Sequence, residues 1–170
     1  MMTRCGAAIF LLIGLVLAAR AEPQPKAAEA PKVTIDRICT LIAKEADANG
    51  LPRDYFARLI WKESRFDHNA VSPVGAEGIA QFMPGTAKIV GLADPFDIDQ
   101  AIPASAAYLA RLKSGFGNWG LAAAAYNGGE TRVARWLSNG GLLPLETEDY
   151  VLDITGRSAD HFSARENEIE

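Results

Sequence analysis

The stretch "IWKESRF", residues 60–66, decides how the chain is read. Glu63 follows Ile60 by three residues, Leu59 by four and Phe56 by seven. On an α-helix those intervals place all four on one face, and the other three are apolar. The spacing predicts a helix over residues 53–64, with Pro52 near its start, that aims a carboxylate along the face it buries. A charged, unpaired carboxylate on such a face costs several kcal/mol, so it tends to keep its proton. The negative end of the helix dipole pushes the same way. A carboxylic acid held protonated near neutral pH is suited to be a general acid. The local pattern equally admits an ion pair with an arginine from a distant part of the chain, since Lys62 and Arg65 fall on other faces.

Outward from this helix the pattern stays helical. Residues 33–49 repeat apolar positions at Ile35, Ile38, Ile42 and Ala46, and Gly50 supplies a stop. Residues 65–85 lose periodicity and collect Pro73, Gly75, Gly78, Pro84 and Gly85. They read as a long ordered loop of the kind that lines sites, with room for a short β-hairpin within residues 70–82. Thr86 reads as the N-cap of a short helix ending at Gly91. Ile102, Ser105, Leu109, Leu112 and Phe116 mark a longer helix, with Pro103 tolerable only in its first turn. Residues 120–126 are rich in alanine, the best helix former. Residues 130–138 are amphipathic through Val133, Trp136 and Leu137, and Gly140 with Gly141 closes them. Thr147, read as a cap, opens a last helix through Tyr150, Val151 and Ile154, and a polar, acidic, frayed tail follows from Ser158. The expected fold class is all-α, with a token hairpin at most.

Composition agrees with a globular domain: 170 residues, 49% hydrophobic and 22% charged, enough chain for one core. The formal net charge of -4 gives no electrostatic hold on nucleic acid or anionic lipid. Residues 1–21 read as a secretory signal, with Arg4, an apolar run over residues 7–19, and the small-x-small site Ala19-Arg20-Ala21. The run is shorter than the ~20 residues a membrane span needs. Cys5 precedes it, so it is not placed for lipidation. Cleavage removes Arg4 and Arg20 and leaves 15 basic against 21 acidic residues, or -6. It also leaves Cys39 as the single cysteine, expected as a buried structural thiol with no disulfide. Residues 22–32, with three prolines, read as a linker, residues 33–157 as the folded domain and residues 158–170 as the tail. Only His68 and His161 are present and no ligand spacing occurs, so neither a metal nor another cofactor is expected. The tryptophans Trp61, Trp119 and Trp136 read as core first and sugar platforms second.

Residues 63–87, "ESRFDHNAVSPVGAEGIAQFMPGTA", resemble the signature of the soluble lytic transglycosylase family, whose members cleave peptidoglycan on a lysozyme-like α fold. The pattern is carried by Glu63, Ser64, Phe66, Ser72, Gly75, Ala76, Gly78, Gln81, Met83, Pro84, Thr86 and Ala87. A second block, Ala-Ala-Tyr-Asn-Gly-Gly, runs from Ala124 to Gly129 and continues to Val133 and Trp136. The third is Glu146, Thr147, Tyr150 and Val151. Three blocks in order make a specific match. The chain departs from the family at Ala80, where methionine is common. It also departs at residues 101–105, where the family often has Asn-Ile-x-x-Gly.

The resemblance implies an exported enzyme, periplasmic or secreted, acting on peptidoglycan glycan strands. Ordinary glycosidases use two carboxyls, and the signature supplies one. Asp67, Asp94, Asp97 and Asp99 read as loop and helix-start residues. By resemblance Glu63 is the catalytic acid and then base, and the muramoyl 6-hydroxyl closes a 1,6-anhydro ring. Tyr126 is implied to orient Glu63, Ser72 and Gln81 to contact the sugar, and Asn127 to donate to the glycan. Glu146 is implied to face the groove floor or the peptide stem. Gly75, Gly78 and Gly128 read as backbone-geometry residues. The rival readings are a lysozyme-type hydrolase on the same fold and a non-catalytic wall-binding scaffold. The small size suits a wall-opening enzyme serving a secretion or envelope complex, a reading that rests on fold analogy.

Overall fold

The computed structural model describes residues 32–163; the signal-like segment, most of the linker and the end of the tail lie outside the described residues. Eight helices occupy the described residues. They are α1 (Ile35–Asn49), α2 (Arg53–Ser64), α3 (Pro84–Val90), α4 (Ile98–Phe116), α5 (Trp119–Gly128), α6 (Glu130–Asn139), α7 (Leu145–Thr155) and α8 (Ala159–Phe162). No strand forms among the described residues. The hairpin allowed within residues 70–82 reduces to isolated antiparallel bridges, Val71 with Glu77 and Glu77 with Phe82. None of these helices is long and apolar enough to cross a membrane.

Local chemistry sets the helix ends. Thr34 caps α1 by accepting from the Arg37 amide, and Gly50 closes it in the left-handed conformation at φ 68°. The buried face of α1 is Ile38, Ile42, Glu45 and Ala46, spaced i, i+4, i+7, i+8. Two expectations fail here. Cys39 lies one position off that stripe and is exposed, so it is no core thiol. Ile35, in the first turn, is 58% exposed.

Two other helix starts differ from expectation. Thr86 is not the cap of α3: Met83 is, and Pro84 opens the helix where its missing N–H has no partner to lose. Asp97 caps α4 by accepting from the Asp99 amide, which starts that helix earlier than its apolar pattern suggested. Pro103 therefore sits in the second turn rather than the first.

The center of the fold is α5. Gly120 and the five residues after it are all buried, and α4, α6, α7 and α8 pack around them. Small side chains permit that crowding, because backbones can approach where no long side chain intervenes. Gly120 lies directly beneath the Phe162 ring, so a Cβ there would collide with it. Asn118 caps α5 through the Leu121 amide and donates its Nδ2 to the Phe162 carbonyl at 2.9 Å. These contacts correct the frayed tail for residues 158–163: α8 is capped by Ser158 and buries Ala159 completely. Trp136 is buried, but Trp61 is 52% exposed and is not core.

Backbone hydrogen bonds tie the long loop between α2 and α3 together, among them Gly78 N–H to the Ala70 carbonyl at 2.8 Å. Gly78 has φ 73° and sits against the Pro95 carbonyl, where a Cβ would overlap the backbone. Gly75 has φ 87° but faces open space. The two glycines therefore separate backbone strain from steric fit. Gly75→Ala should cost about 1 kcal/mol for the left-handed backbone alone. Gly78→Ala should cost about 3 kcal/mol, because overpacking adds to the strain. Urea unfolding of both variants measures the difference, and equal losses would contradict the packing assignment.

Candidate active site

A cleft of about 570 Å³ opens beside the end of α2. Its wall contains all six residues singled out from the sequence: Glu63, Ser72, Gln81, Tyr126, Asn127 and Glu146. Lys62, Met83, Asp149 and Tyr150 join them. Three stretches distant in sequence therefore meet here: the last turn of α2 with the loop after it, the end of α5 and the start of α7.

Glu63 is half-buried in the penultimate position of α2. The Tyr150 hydroxyl donates to its Oε1. Burial pushes the Glu63 pKa up to about 7, the Tyr150 hydrogen bond holds it down, the Glu146 charge raises it and Lys62 lowers it. Desolvation wins because it acts on the charged form alone, whereas a single neutral donor recovers only part of the lost solvation. Burial, followed by the nearby Glu63 charge, lifts both Tyr150 and Tyr126 well above the usual phenol range, so both stay protonated donors.

The tyrosine hydrogen-bonded to Glu63 is Tyr150, which corrects the orienting role given to Tyr126. The Tyr126 hydroxyl donates instead to the Ala80 carbonyl at 2.8 Å. Its remaining lone pair meets the Ser105 hydroxyl at 3.0 Å, with Ser105 as donor. Tyr126 thus fixes the loop that faces Glu63. Ser64 does the same one residue earlier, donating to the Ile79 carbonyl at 2.7 Å. Gln81, at φ 49°, spends its amide hydrogens on the Gly78 and Ala70 carbonyls at 2.9 and 3.2 Å. Its Oε1 is what remains for a ligand. Ser72 ties its own turn, accepting from the Ala76 amide at 2.9 Å.

Thr147 is not a helix cap. Pro144 precedes α7, and Thr147 is buried one turn in, where it donates to Asn127 Oδ1 at 2.8 Å. That bond assigns the amide orientation and leaves Asn127 Nδ2 as a donor. Gly128 must be small because a Cβ would press on Thr147 at 3.0 Å. Glu146 is exposed at the rim. Sequence reasoning missed Thr147 and Tyr150 as site residues. The available signal was their spacing after Glu146, at i+1 and i+4 on a helix, which brings Tyr150 round to the face that Glu146 opens.

The four aspartates from Asp67 to Asp99 take structural parts. Asp67, Asp94 and Asp97 each accept from a backbone amide two residues on, at 2.9 Å, and Asp99 pairs with Arg37. None of them lines the cleft. Among the described residues no group of His, Cys, Asp and Glu could hold a metal ion.

Comparison with known proteins places the chain among lytic transglycosylases in sequence and fold. Membrane-bound lytic murein transglycosylase F of Desulfosudis oleivorans is 40% identical over 82 residues, covering 48% of this chain and 18% of that protein. Soluble lytic murein transglycosylase of Escherichia coli is 34% identical over 110 residues, covering 58% of this chain and 17% of that protein. The chain thus spans less than a fifth of the length of these curated relatives. Among solved structures, an inactive mutant of lytic transglycosylase Slt from Pseudomonas aeruginosa superposes with a TM-score of 0.60 at 32% identity, covering 75% of this chain and 24% of that one. The profile of the Transglycosylase SLT domain matches residues 40–144, more than half of the sequence. An all-α chain whose three motif blocks converge on one cleft, and whose matched span contains Glu63 and that loop, belongs to the Transglycosylase SLT domain family.

Proposed function

We propose that this chain is an exported peptidoglycan lytic transglycosylase that cuts the β-1,4 bond between N-acetylmuramic acid and N-acetylglucosamine. The observation that carries the reading is Glu63: a carboxyl group with a pKa near 7, hydrogen-bonded on one oxygen and lining a sugar-sized cleft. Tyr150 occupies Oε1, so Oε2 carries the proton. That proton passes to the glycosidic oxygen as its bond to C1 breaks. The carboxylate left behind is stabilised by the same Tyr150 donor and accepts the proton of the muramoyl 6-hydroxyl. The hydroxyl oxygen bonds C1 and closes a 1,6-anhydro ring. One residue acts as acid and then base, no water is consumed, and a pKa near neutrality suits both halves. Asn127 Nδ2 and Gln81 Oε1 supply a donor and an acceptor for the sugar's amide and hydroxyl groups, with Ser72 on the same wall. The signal-like start accords with action in the periplasm or outside the cell.

One observation favors a hydrolytic alternative on the same fold. Glu146 and Asp149 line the cleft, so a second carboxylate is at hand to activate water. Digesting purified peptidoglycan and weighing the products separates the two. Muropeptides lighter by one water than the hydrolysis products are expected, and fully hydrated reducing ends would overturn the transglycosylase reading. Glu63→Gln should lower the rate by roughly 10²–10⁴, the scale of a lost general acid–base group.

The pH dependence follows with a definite sign. Glu63 must enter the cycle protonated, so activity should fall as pH rises through about 7. The Tyr150 hydrogen bond lowers the Glu63 pKa. Tyr150→Phe should therefore move that alkaline limb to higher pH while reducing the maximum, readable in a pH–rate profile. Stability changes in the same window. The folded state binds a proton at Glu63 that the unfolded chain releases above its ordinary value near 4.5, so stability declines between that value and about 7. The loss is at most about 3 kcal/mol, reduced by solvent at the cleft mouth. Glu63→Gln lacks this titration, so its melting temperature should drop less than the wild type's between pH 5 and pH 8.

A further inference from the structure

One polar side chain interrupts the buried face of α4. Ser105 is fully buried there, in a row whose other members are Ile98, Ala101, Ile102, Ala106, Leu109 and Leu112. It stands where the family pattern often has glycine. Apolar packing has no use for a hydroxyl, and burying one costs free energy unless it is hydrogen-bonded. Serine inside a helix commonly spends its hydroxyl on the carbonyl one turn back. Ser105 instead crosses to α5: among the described residues its side-chain hydrogen bond is with the Tyr126 hydroxyl, at 3.0 Å. Ser105 does not line the cleft and reaches it only through Tyr126.

The Ala80 carbonyl decides which hydroxyl donates. Ala80 is fully buried, so its carbonyl has no solvent to accept from and takes the Tyr126 proton at 2.8 Å. Tyr126 has one hydroxyl hydrogen, so Ser105 is the donor between the two. A hydroxyl that accepts one hydrogen bond becomes a stronger donor in the next, so Ser105 tightens the bond from Tyr126 to Ala80. Packing on Phe82 and Tyr108, with ring centroids 6.1 and 5.5 Å away, holds the phenol ring. What Ser105 adds is the direction of its hydroxyl.

Each residue joined by that bond precedes one that keeps a polar atom for a ligand in the cleft. Gln81 follows Ala80 and keeps its Oε1, since its amide hydrogens go to the Gly78 and Ala70 carbonyls. Asn127 follows Tyr126 and keeps its Nδ2, since Thr147 occupies Oδ1. The Tyr126–Ala80 bond is thus a strut between the loop and α5, and its length governs how far that acceptor stands from that donor. We propose that Ser105 is a positioning residue: by holding the Tyr126 hydroxyl on the Ala80 carbonyl it sets the separation of Gln81 and Asn127, so that both engage one sugar unit. This rests on the peptidoglycan reading above.

The test compares wild type, Ser105→Ala, Tyr126→Phe and the double variant of the full chain on soluble, uncross-linked glycan strands. Alanine favors the helix and removes only the hydroxyl. Loosening groups that hold the sugar equally in ground and transition states raises KM and spares kcat, whereas a loss of folded protein lowers apparent kcat and leaves KM alone. Ser105→Ala should raise KM about fivefold, the scale of one hydrogen bond, with kcat reduced less than about twofold. Tyr126→Phe should raise KM at least as much, and the double variant should go no further than Tyr126→Phe. Dissociation constants for the same strands in a Glu63→Gln background should rise in the same order, independently of catalysis. If wild type cuts no strand, the enzymatic reading fails while these constants still decide the role of Ser105. A lower kcat at unchanged KM overturns the proposal. So do dissociation constants that Ser105→Ala leaves unchanged, or a full effect of Ser105→Ala in the Tyr126→Phe background. Strands that bind none of the proteins overturn it together with the reading of the cleft.

Discussion

The hydrogen bond from Tyr150 to Glu63 sets the terms for the rest of the molecule. Burial without a donor would raise the carboxyl's pKa further and leave a weaker acid, ready to take a proton back but reluctant to give one. A donor without burial would leave an ordinary solvated carboxylate. A balance near 7 needs both, and it requires α2 and α7 to keep a fixed relation. Further contacts between the two helices maintain that relation. Arg58 on α2 donates to the Ile154 carbonyl at 2.7 Å, and Lys62 pairs with Asp153. Buried Leu59 and Ile60 on α2, with Val151 and Ile154 on α7, supply the apolar part of the core between them. The exposed Lys62–Asp153 pair adds little stability by itself. Its value lies in orientation, since a small rotation of α7 would pull the Tyr150 hydroxyl off Glu63.

Holding a partly buried acid in a preformed cleft also concentrates strain nearby. Among the described residues the non-glycine residues with positive φ are Arg65, Phe66 and Gln81, all on the loop that follows Glu63. Such conformations cost about 1–3 kcal/mol each and persist only where neighbors over-determine them. Here the neighbors are visible. Ser64 and Tyr126 hold the consecutive carbonyls of Ile79 and Ala80, and Gln81 next to them is anchored by its own side chain. The loop gives up backbone comfort for rigidity, which a site relying on exact position requires.

The helical pattern made the fold largely legible. The reading of α2 from its apolar spacing ran to the same residues as the observed helix, and the carboxyl on its buried face is Glu63. What stayed hidden depended on partners remote in the chain. Tyr150 fits the apolar stripe of α7 so well that its hydroxyl went unassigned, and only the α2–α7 packing gives that hydroxyl an acceptor. The short α8 was invisible because its stability comes from Gly120 and Asn118, some forty residues earlier, rather than from its own four residues. Cys39 and Ile35 were placed in the core because an apolar residue in a periodic segment carries no mark of which edge of the stripe the neighbors leave open. Thr86 and Thr147 shared one cause: a threonine near a helix start satisfies the capping rule, but Pro84 and Pro144 had already fixed where those helices begin.

The alanines of α5 join the two problems of fold and site. Ala122 through Ala125 are fully buried although each covers little area, so their contribution through the hydrophobic effect is small. What they permit is approach. With a leucine in their place, α7 would sit further from α5, and Thr147 could no longer reach Asn127. The same displacement would carry Tyr150 away from Glu63, because Thr147 and Tyr150 lie on one rigid helix. The acid at the end of α2 is therefore tuned by the size of side chains on another helix. A core built for maximal burial at α5 would be a poorer active site.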